Sequence, residues 1–137
     1  MQCATVGAQS LRTQYCSRKW GEPEQTPVAS GLEKAALRQL LLSTIVRDEL
    51  GGDVRRDGDD LFLGPGKPSI SIATLTPVSY RVPFGINIER ALDVGIETRA
   101  LIDRGVDSAD LACCVLARYA SQIAGIRDAR TRVRGVP

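Results

Sequence analysis

From Val78 to Ile88 every even-numbered residue is apolar: Val78, Tyr80, Val82, Phe84, Ile86 and Ile88. Between them stand Ser79, Arg81, Pro83, Gly85 and Asn87. A period of two marks a strand with one buried face and one small, polar face, so the chain must contain a sheet with two unlike surfaces. The preceding run, Lys67-Pro68-Ser69-Ile70-Ser71-Ile72-Ala73-Thr74, reads as a neighbouring strand over 69–75, with a turn at Pro77 between the two. If Ile70 and Ile72 share the buried face with Val78, Tyr80 and Val82, the numbers of paired residues must sum to an even value. A connection of odd length, such as Leu75 to Pro77, or a bulge meets that condition, whereas a two-residue loop sets isoleucine against the polar face. The odd connection or the bulge is therefore expected. Lys67, Ser69, Ser71, Thr74, Ser79, Arg81 and Asn87 then gather around one sheet surface, a sensible place for an anionic ligand.

The remaining segments supply the layers that such a sheet needs. Ser30-Gly31-Leu32-Glu33 is a capping-box pattern with Ser30 as the cap. The helix it opens carries Leu32, Ala36, Leu40, Leu41, Leu42, Ile45, Val46 and Leu50, and Gly51-Gly52 ends it. Its wide apolar stripe predicts burial against a sheet. Short strands are expected near 54–56 and 61–63, joined by the hairpin turn Asp57-Gly58-Asp59-Asp60. A second turn, Gly64-Pro65-Gly66-Lys67, leads from there into the strand over 69–75. A short helix over about 98–104 stops at Gly105. Asp107 and Asp110 cap a long helix over about 108–132, whose stripe is Leu111, Val115, Tyr119 or Leu116, Ile123 and Ile126. Residues 1–29 lack a sustained period and are expected as an irregular or partly disordered arm, followed by one domain over 30–137. The fold class is α+β: an antiparallel sheet of about four strands with two main helices packed on one face.

Composition narrows the chemistry. A chain of 137 residues fits one domain and buries roughly 70% of its unfolded surface. Net charge is only +2, so overall electrostatics give no reason to expect a nucleic-acid partner. No apolar run approaches the roughly 20 residues that cross a bilayer, and no signal peptide stands at the N-terminus. A cytoplasmic protein without a membrane partner is expected. Histidine is absent, which removes Ser-His-Asp and Cys-His catalysis and histidine-ligated metal centres. Of the four cysteines, Cys3 and Cys16 are too far apart for a zinc knuckle. Cys113 and Cys114 diverge by about 100° on a helix. All four are expected to be reduced, with no metal site.

The candidate residues each have two readings. Lys67 follows a Gly-Pro-Gly turn and opens a strand, which suits a cation that neutralises a carboxylate or phosphate as charge develops; it equally suits a solvated lysine that discourages edge pairing. Ser69, Ser71, Thr74, Ser79, Arg81 and Asn87 leave room for a ligand and offer directional donors, or are simply the wet face of an antiparallel sheet. No base stands near the serines to activate them. Asp57, Asp59 and Asp60 miss the calcium-loop pattern and read as turn residues. The arginines at 127, 130, 132 and 134 match what a helix C-terminus favours, and no aromatic platform accompanies them for nucleic acid.

The run Ser71-Ile72-Ala73-Thr74-Leu75-Thr76-Pro77-Val78-Ser79, with Gly85-Ile86-Asn87-Ile88, resembles the signature of domain-of-unknown-function family 366. Arg56-Asp57-Gly58-Asp59-Asp60-Leu61 and Leu37-Arg38-Gln39-Leu40-Leu41 resemble the same family, so the likeness spans about 32–126. That family is similar in fold to the biotin and lipoate protein ligases and to class II synthetase cores. In those ligases a strand opening with Lys, a hydrophobe and Ser carries the lysine that contacts the acyl-adenylate; Lys67-Pro68-Ser69 resembles it, and Gly85-Ile86-Asn87 resembles their Gly-Ile-Asn strand. Their Arg- and Gly-rich ligand loop precedes the first helix, and residues 1–29 here hold nothing like it. The resemblance thus implies a ligase-like half-domain with a shortened or divergent N-terminal part.

Two functions follow as expectations. One is a ligase-like small-molecule binding domain for a carboxylate- or nucleotide-bearing ligand, with Lys67 and Arg81 pairing its anion and Ser69, Ser71 and Asn87 orienting it. Catalysis, if present, is acyl or adenylate transfer by positioning and charge stabilisation, with Lys67 as the catalytic cation. The other is a noncatalytic interaction or scaffold module, a shortened remnant of that fold, which pairs with a second copy as a homodimer or with a partner chain through an exposed sheet face or edge. The sequence names no cofactor.

Overall fold

A computed structural model of the chain describes residues 2–7, 10–18, 28–75, 79–89 and 99–134. The strand forecast from its alternation is present as β7, Ser79–Asn87. Val82, Phe84 and Ile86 are buried, while Arg81 is exposed and Pro83, Gly85 and Asn87 are half-buried. Val78, expected on the same buried face, lies outside the described residues.

β7 is the spine of a five-stranded antiparallel sheet. On one side it pairs with β2, Ser10–Arg18, which pairs in turn with β1, Gln2–Gly7. On the other side it pairs with two short pieces, β5, Ser69–Ser71, and β6, Thr74–Leu75. A separate hairpin joins β3, Val54–Asp57, to β4, Asp60–Leu63, with Gly58 at φ 60° in its turn. The irregular arm expected over 1–29 is therefore corrected over residues 2–7 and 10–18, which form β1 and β2. A ladder is held by backbone donors and acceptors, so a strand can form where the side chains carry no alternation.

Two helices close one face. The first, α1, runs Val28–Leu50, so Ser30 falls inside its first turn rather than capping it. Ala35, Leu42, Val46 and Leu50 are buried at helical spacing, with Ile45 beside them. Gly51, at φ 62°, follows the last turn and returns its N–H to the carbonyl of Arg47 at 2.9 Å. The second, α2, runs Ser108–Arg132, and the Asp107 carboxylate caps it by accepting from the N–H groups of Ala109 and Asp110. A 3₁₀ turn, Leu101–Arg104, precedes it and ends at Gly105, φ 63°. Leu111, Val115, Tyr119 and Ile123 meet α1 and the even face of β7 in one apolar core, whose deepest members include Leu61, Val46 and Val82. Ile126, expected on that stripe, is instead 55% exposed, because α2 runs past the end of the core. Architecture and class are α+β as anticipated, with helices on one face of an antiparallel sheet.

Candidate functional site

The register between β5, β6 and β7 decides what each face of the sheet can do. Ser69 lies opposite Ile86, Ile70 opposite Gly85, Ser71 opposite Phe84 and Thr74 opposite Arg81. Every pair sums to an odd number, so the expected odd connection is corrected. Directly opposed residues of an antiparallel pair share a face. Ser69 and Ser71 thus belong to the core face, and Ile70 and Ile72 belong to the outer face with Arg81, Pro83 and Gly85. The physical reason is size. The observed register sets a large residue against a small one on both faces, serine under Phe84 and Ile86 inside and Gly85 beneath Ile70 outside. The even-sum register would have stacked isoleucine on phenylalanine in the core and left glycine facing serine outside.

The seven predicted site residues are accordingly split. The hydroxyl of Ser71 accepts from Gln39 Nε2 at 2.9 Å, and the same amide nitrogen donates to Asp59 Oδ2 at 2.8 Å. Ser69 is 6% exposed, and its hydroxyl has no hydrogen-bond partner among the described residues. Lys67 pairs with Asp60 at 2.6 Å, both side chains about one-third exposed. The Asn87 side-chain amide donates to the carbonyls of Lys67 and Arg99 at 3.4 and 3.3 Å, fastening two loops to the end of β7. Ser79 opens β7 opposite Arg18. Arg81 and Thr74 are exposed neighbours on the outer face. The backbone N–H of Asn87 bonds Pro68, the residue after Lys67. Lys67 and Arg81 are therefore at opposite ends of β7, roughly 20 Å apart at about 3.3 Å per residue. They do not converge on one anion.

What remains on the outer face is a shallow apolar centre with a cationic margin. Ile70 is 63% exposed and Ile72 55%. Ile70 lies over Gly85: a Cβ there would stand 3.3 Å from Ile70 Cγ2. Across the other ladder, the Cα of Arg12 lies opposite Gly85 and that of Gln14 opposite Pro83. Among the described residues both helices pack on the opposite side, against Val82, Phe84 and Ile86. Ile70 and Ile72, expected on the buried face, are surface residues, although the large–small alternation across the two strands was there to be read.

The recesses elsewhere are of another kind. A cavity of about 10 Å³ among Leu42, Val46, Phe84, Leu111 and Val115 is a packing defect. An open cleft of about 480 Å³ lies where α1 ends, beside Arg47, Asp48, Gly52 and Arg118. Its charges are already matched. Arg47 bonds Asp48 at 2.6 Å, and Arg118 reaches Glu49 at 2.8 Å and Asp48 at 3.5 Å. The Arg47 hydrogen bond, aided by the Arg47 and Arg118 charges, lowers the Asp48 pKa below the usual carboxylate value. Arg104 does the same to Asp53 while also donating to the carbonyls of Leu50 and Gly51. Cys113 and Cys114 are free and exposed on α2.

Comparison with known proteins converges on one fold. The family model described as Domain of unknown function (DUF366) matches residues 27–134. A solved structure titled a protein of unknown function from Pyrococcus horikoshi superposes with a TM-score of 0.76 at 24% identity, over 93% of this chain and 65% of that one. Biotin protein ligase from Aquifex aeolicus superposes with a TM-score of 0.65 at 16% identity, over 87% of this chain and 54% of that one. The same ligase in complex with biotin and ATP gives 0.66, over 52% of its length. The chain thus spans about two thirds of the first of these proteins and about half of the ligase. No curated protein matches the sequence.

Proposed function

The chain belongs to the DUF366 family, and on that premise we propose that it is a ligase-like binding domain whose ligand lies on the outer face of the sheet. The ligand has an apolar body, which rests against Ile70 and Ile72, and an anionic end paired by Arg81. The observation that carries the reading is the exposure of that centre: two isoleucines more than half exposed beside Arg81, on a face that, among the described residues, the helices leave uncovered. An apolar floor with a few polar groups at its margin is the usual make-up of a small-molecule site. The biotin protein ligase fold supports it as a precedent for a fold that holds such a ligand. Lys67, at the other end of β7, is a second cation for acyl or adenylate transfer once it leaves Asp60, and its part is charge stabilisation rather than covalent chemistry.

A thermal-shift screen against ATP, AMP, biotin, lipoate and short fatty acids tests this. Ligand at a hundred times its dissociation constant adds about 2.7 kcal/mol to the folded state. The expected result is a shift with a carboxylate-bearing ligand that disappears in Gly85→Val and weakens in Arg81→Ala. A shift that survives both substitutions, or none with any compound, overturns the reading.

A second reading, a noncatalytic module that docks a partner chain on the same face, is favoured by the separation of Lys67 and Arg81. Under it, no small molecule shifts the melt.

A further inference from the structure

The outer side of α1, turned away from the sheet, carries a pattern that the core uses only through Leu41, which packs against its edge. Leu37 is 59% exposed and Leu40 36%, while Leu41 is only partly buried. Flanking them are Glu33 and Lys34 towards the start of the helix and Arg47 and Asp48 towards its end, all exposed; Arg47 and Asp48 bond each other at 2.6 Å, and Arg118 stands 3.5 Å from Asp48, so both would exchange these contacts for those of a second copy. Seven residues drift by only about 20° around a helix, so Glu33, Leu40 and Arg47 form one row and Lys34, Leu41 and Asp48 a second. Leu37 and Thr44 lie between the rows.

Each row has a leucine at its centre and opposite charges at its ends. Such a row is complementary to itself when reversed. Two copies related by a two-fold axis across the helices bring like row against like row, antiparallel. With Leu40 facing Leu40, Glu33 of each copy meets Arg47 of the other; with Leu41 facing Leu41, Lys34 meets Asp48. Both alignments differ by a single residue step, so one shallow crossing satisfies them together, and Leu37 then packs beside Thr44 of the second copy. Charges flanking an apolar seam are what select partner and direction in helix pairs.

We propose that this chain forms a two-fold dimer through the outer side of α1, with Leu37, Leu40 and Leu41 as its apolar seam and the pairs Glu33–Arg47 and Lys34–Asp48 at its edges. The contact lies on the far side of α1 from the sheet, so it stands independently of any ligand and is not the sheet-face or sheet-edge contact expected from the sequence. A single helix pair is a small interface, and a weak, concentration-dependent dimer follows.

Sedimentation velocity of the full chain over a range of concentrations, at low salt, tests it by a charge exchange. Glu33→Arg places two arginines together at each edge, and Arg47→Glu places two glutamates there, so each variant alone is expected to dimerise at least tenfold more weakly than the parent. Mixing the two variants restores both edge pairs in a heterodimer, which is expected to form as the parent dimer does. Leu37→Glu with Leu40→Glu abolishes association while leaving the melt cooperative, since neither side chain belongs to the core. A parent chain that stays monomeric overturns the proposal. So does a mixture that associates no better than its components, or a dimer that survives the leucine substitutions.

Discussion

The two faces of β7 are built from the same strand and obey opposite rules. The inner face is bulky and closed: Val82, Phe84 and Ile86 are each at most 5% exposed, and α1 and α2 cover them. The outer face is thin and open, with Gly85 at its centre and its apolar bulk supplied from the neighbouring strand by Ile70 and Ile72. The lesson is that apolar character alone does not say which face of a strand is the core. Size complementarity across the ladder does, and the isoleucines that looked like core residues are surface residues.

The largest effect should come from attacking the closed face. Phe84→Ala removes a 3% exposed ring from the centre of the core and should cost about 3–5 kcal/mol. Ile70→Ala and Ile72→Ala, although they delete apolar atoms from the same sheet, should stay within about 0.5 kcal/mol of the parent, as surface substitutions do. Urea denaturation of the three variants gives the answer. An Ile70 variant as damaging as the Phe84 variant would show that the outer face is covered too, and the contrast between the faces would collapse.

A smaller loss is expected at the polar seam between helix and sheet. Gln39 is 8% exposed and ties α1 to Asp59 and to Ser71 at once. Next to it the Ser43 hydroxyl donates to the carbonyl of Asp59 at 2.9 Å. Gln39→Met keeps the length and removes the donors, leaving the Asp59 carboxylate and the Ser71 hydroxyl short of a partner. The cost should be about 1–3 kcal/mol. Restoring the loss with Ser71→Ala in the same chain would confine it to that one hydrogen bond, whereas no recovery would assign it to Asp59.

Why the sequence revealed one face and not the other follows from these residues. The alternation from Tyr80 to Asn87 is visible because side chains on the two sides differ in polarity, and helix ends are visible because Gly51, Gly105 and Asp107 do local chemistry. The turn around Gly58 is visible for the same reason. Register is not local. It is set by how Ser69 and Ser71 fit beneath Ile86 and Phe84, and by Gln39 reaching across from a helix thirty residues earlier in the chain (32 positions separate it from Ser71). β1 and β2 were hidden for a further reason: their place in the sheet rests on backbone pairing, of β2 with β7 and of β1 with β2, for which residues 2–18 carry no period. The candidate site inherited the error. Ser69 and Ser71 were assigned to the ligand's side when they lie on the core face, and Lys67 was grouped with an arginine that lies at the far end of the strand.

Gly85 sharpens the contrast further, because there folding and binding should respond differently. In Gly85→Ala the new Cβ would stand 3.3 Å from Ile70 Cγ2, so Ile70 must give by a few tenths of an ångström. Ile70 is exposed and free to turn, which should hold the net change in stability below about 1 kcal/mol. The double variant with Ile70→Ala should lose any penalty, and the interaction term of the cycle reports the contact directly. A large penalty that persists without Ile70 would mean that something else lies on the outer face.

The smallest expected effect is a dependence on pH, and it comes from neither face but from the end of α1. Asp48 is held below the ordinary carboxylate pKa chiefly by its hydrogen bond from Arg47, and Asp53 chiefly by its hydrogen bond from Arg104. A carboxylate whose pKa is lower in the folded chain than in the unfolded one adds stability above the unfolded value, near 4, and loses it as pH falls through the folded value. Stability should therefore be level from neutral pH down to about 5 as far as these two groups are concerned, and fall below that. Both carboxylates are solvent-accessible, so the fall is shallow and salt weakens it. Urea midpoints from pH 7 to 3 for the parent, Arg47→Gln and Arg104→Gln test the assignment: each variant should start less stable and then lose less on acidification, so that the curves draw together at low pH. Parallel curves for Arg104→Gln would mean that Arg104 acts through the carbonyls of Leu50 and Gly51 and not through Asp53; parallel curves for Arg47→Gln would remove its assigned action on Asp48.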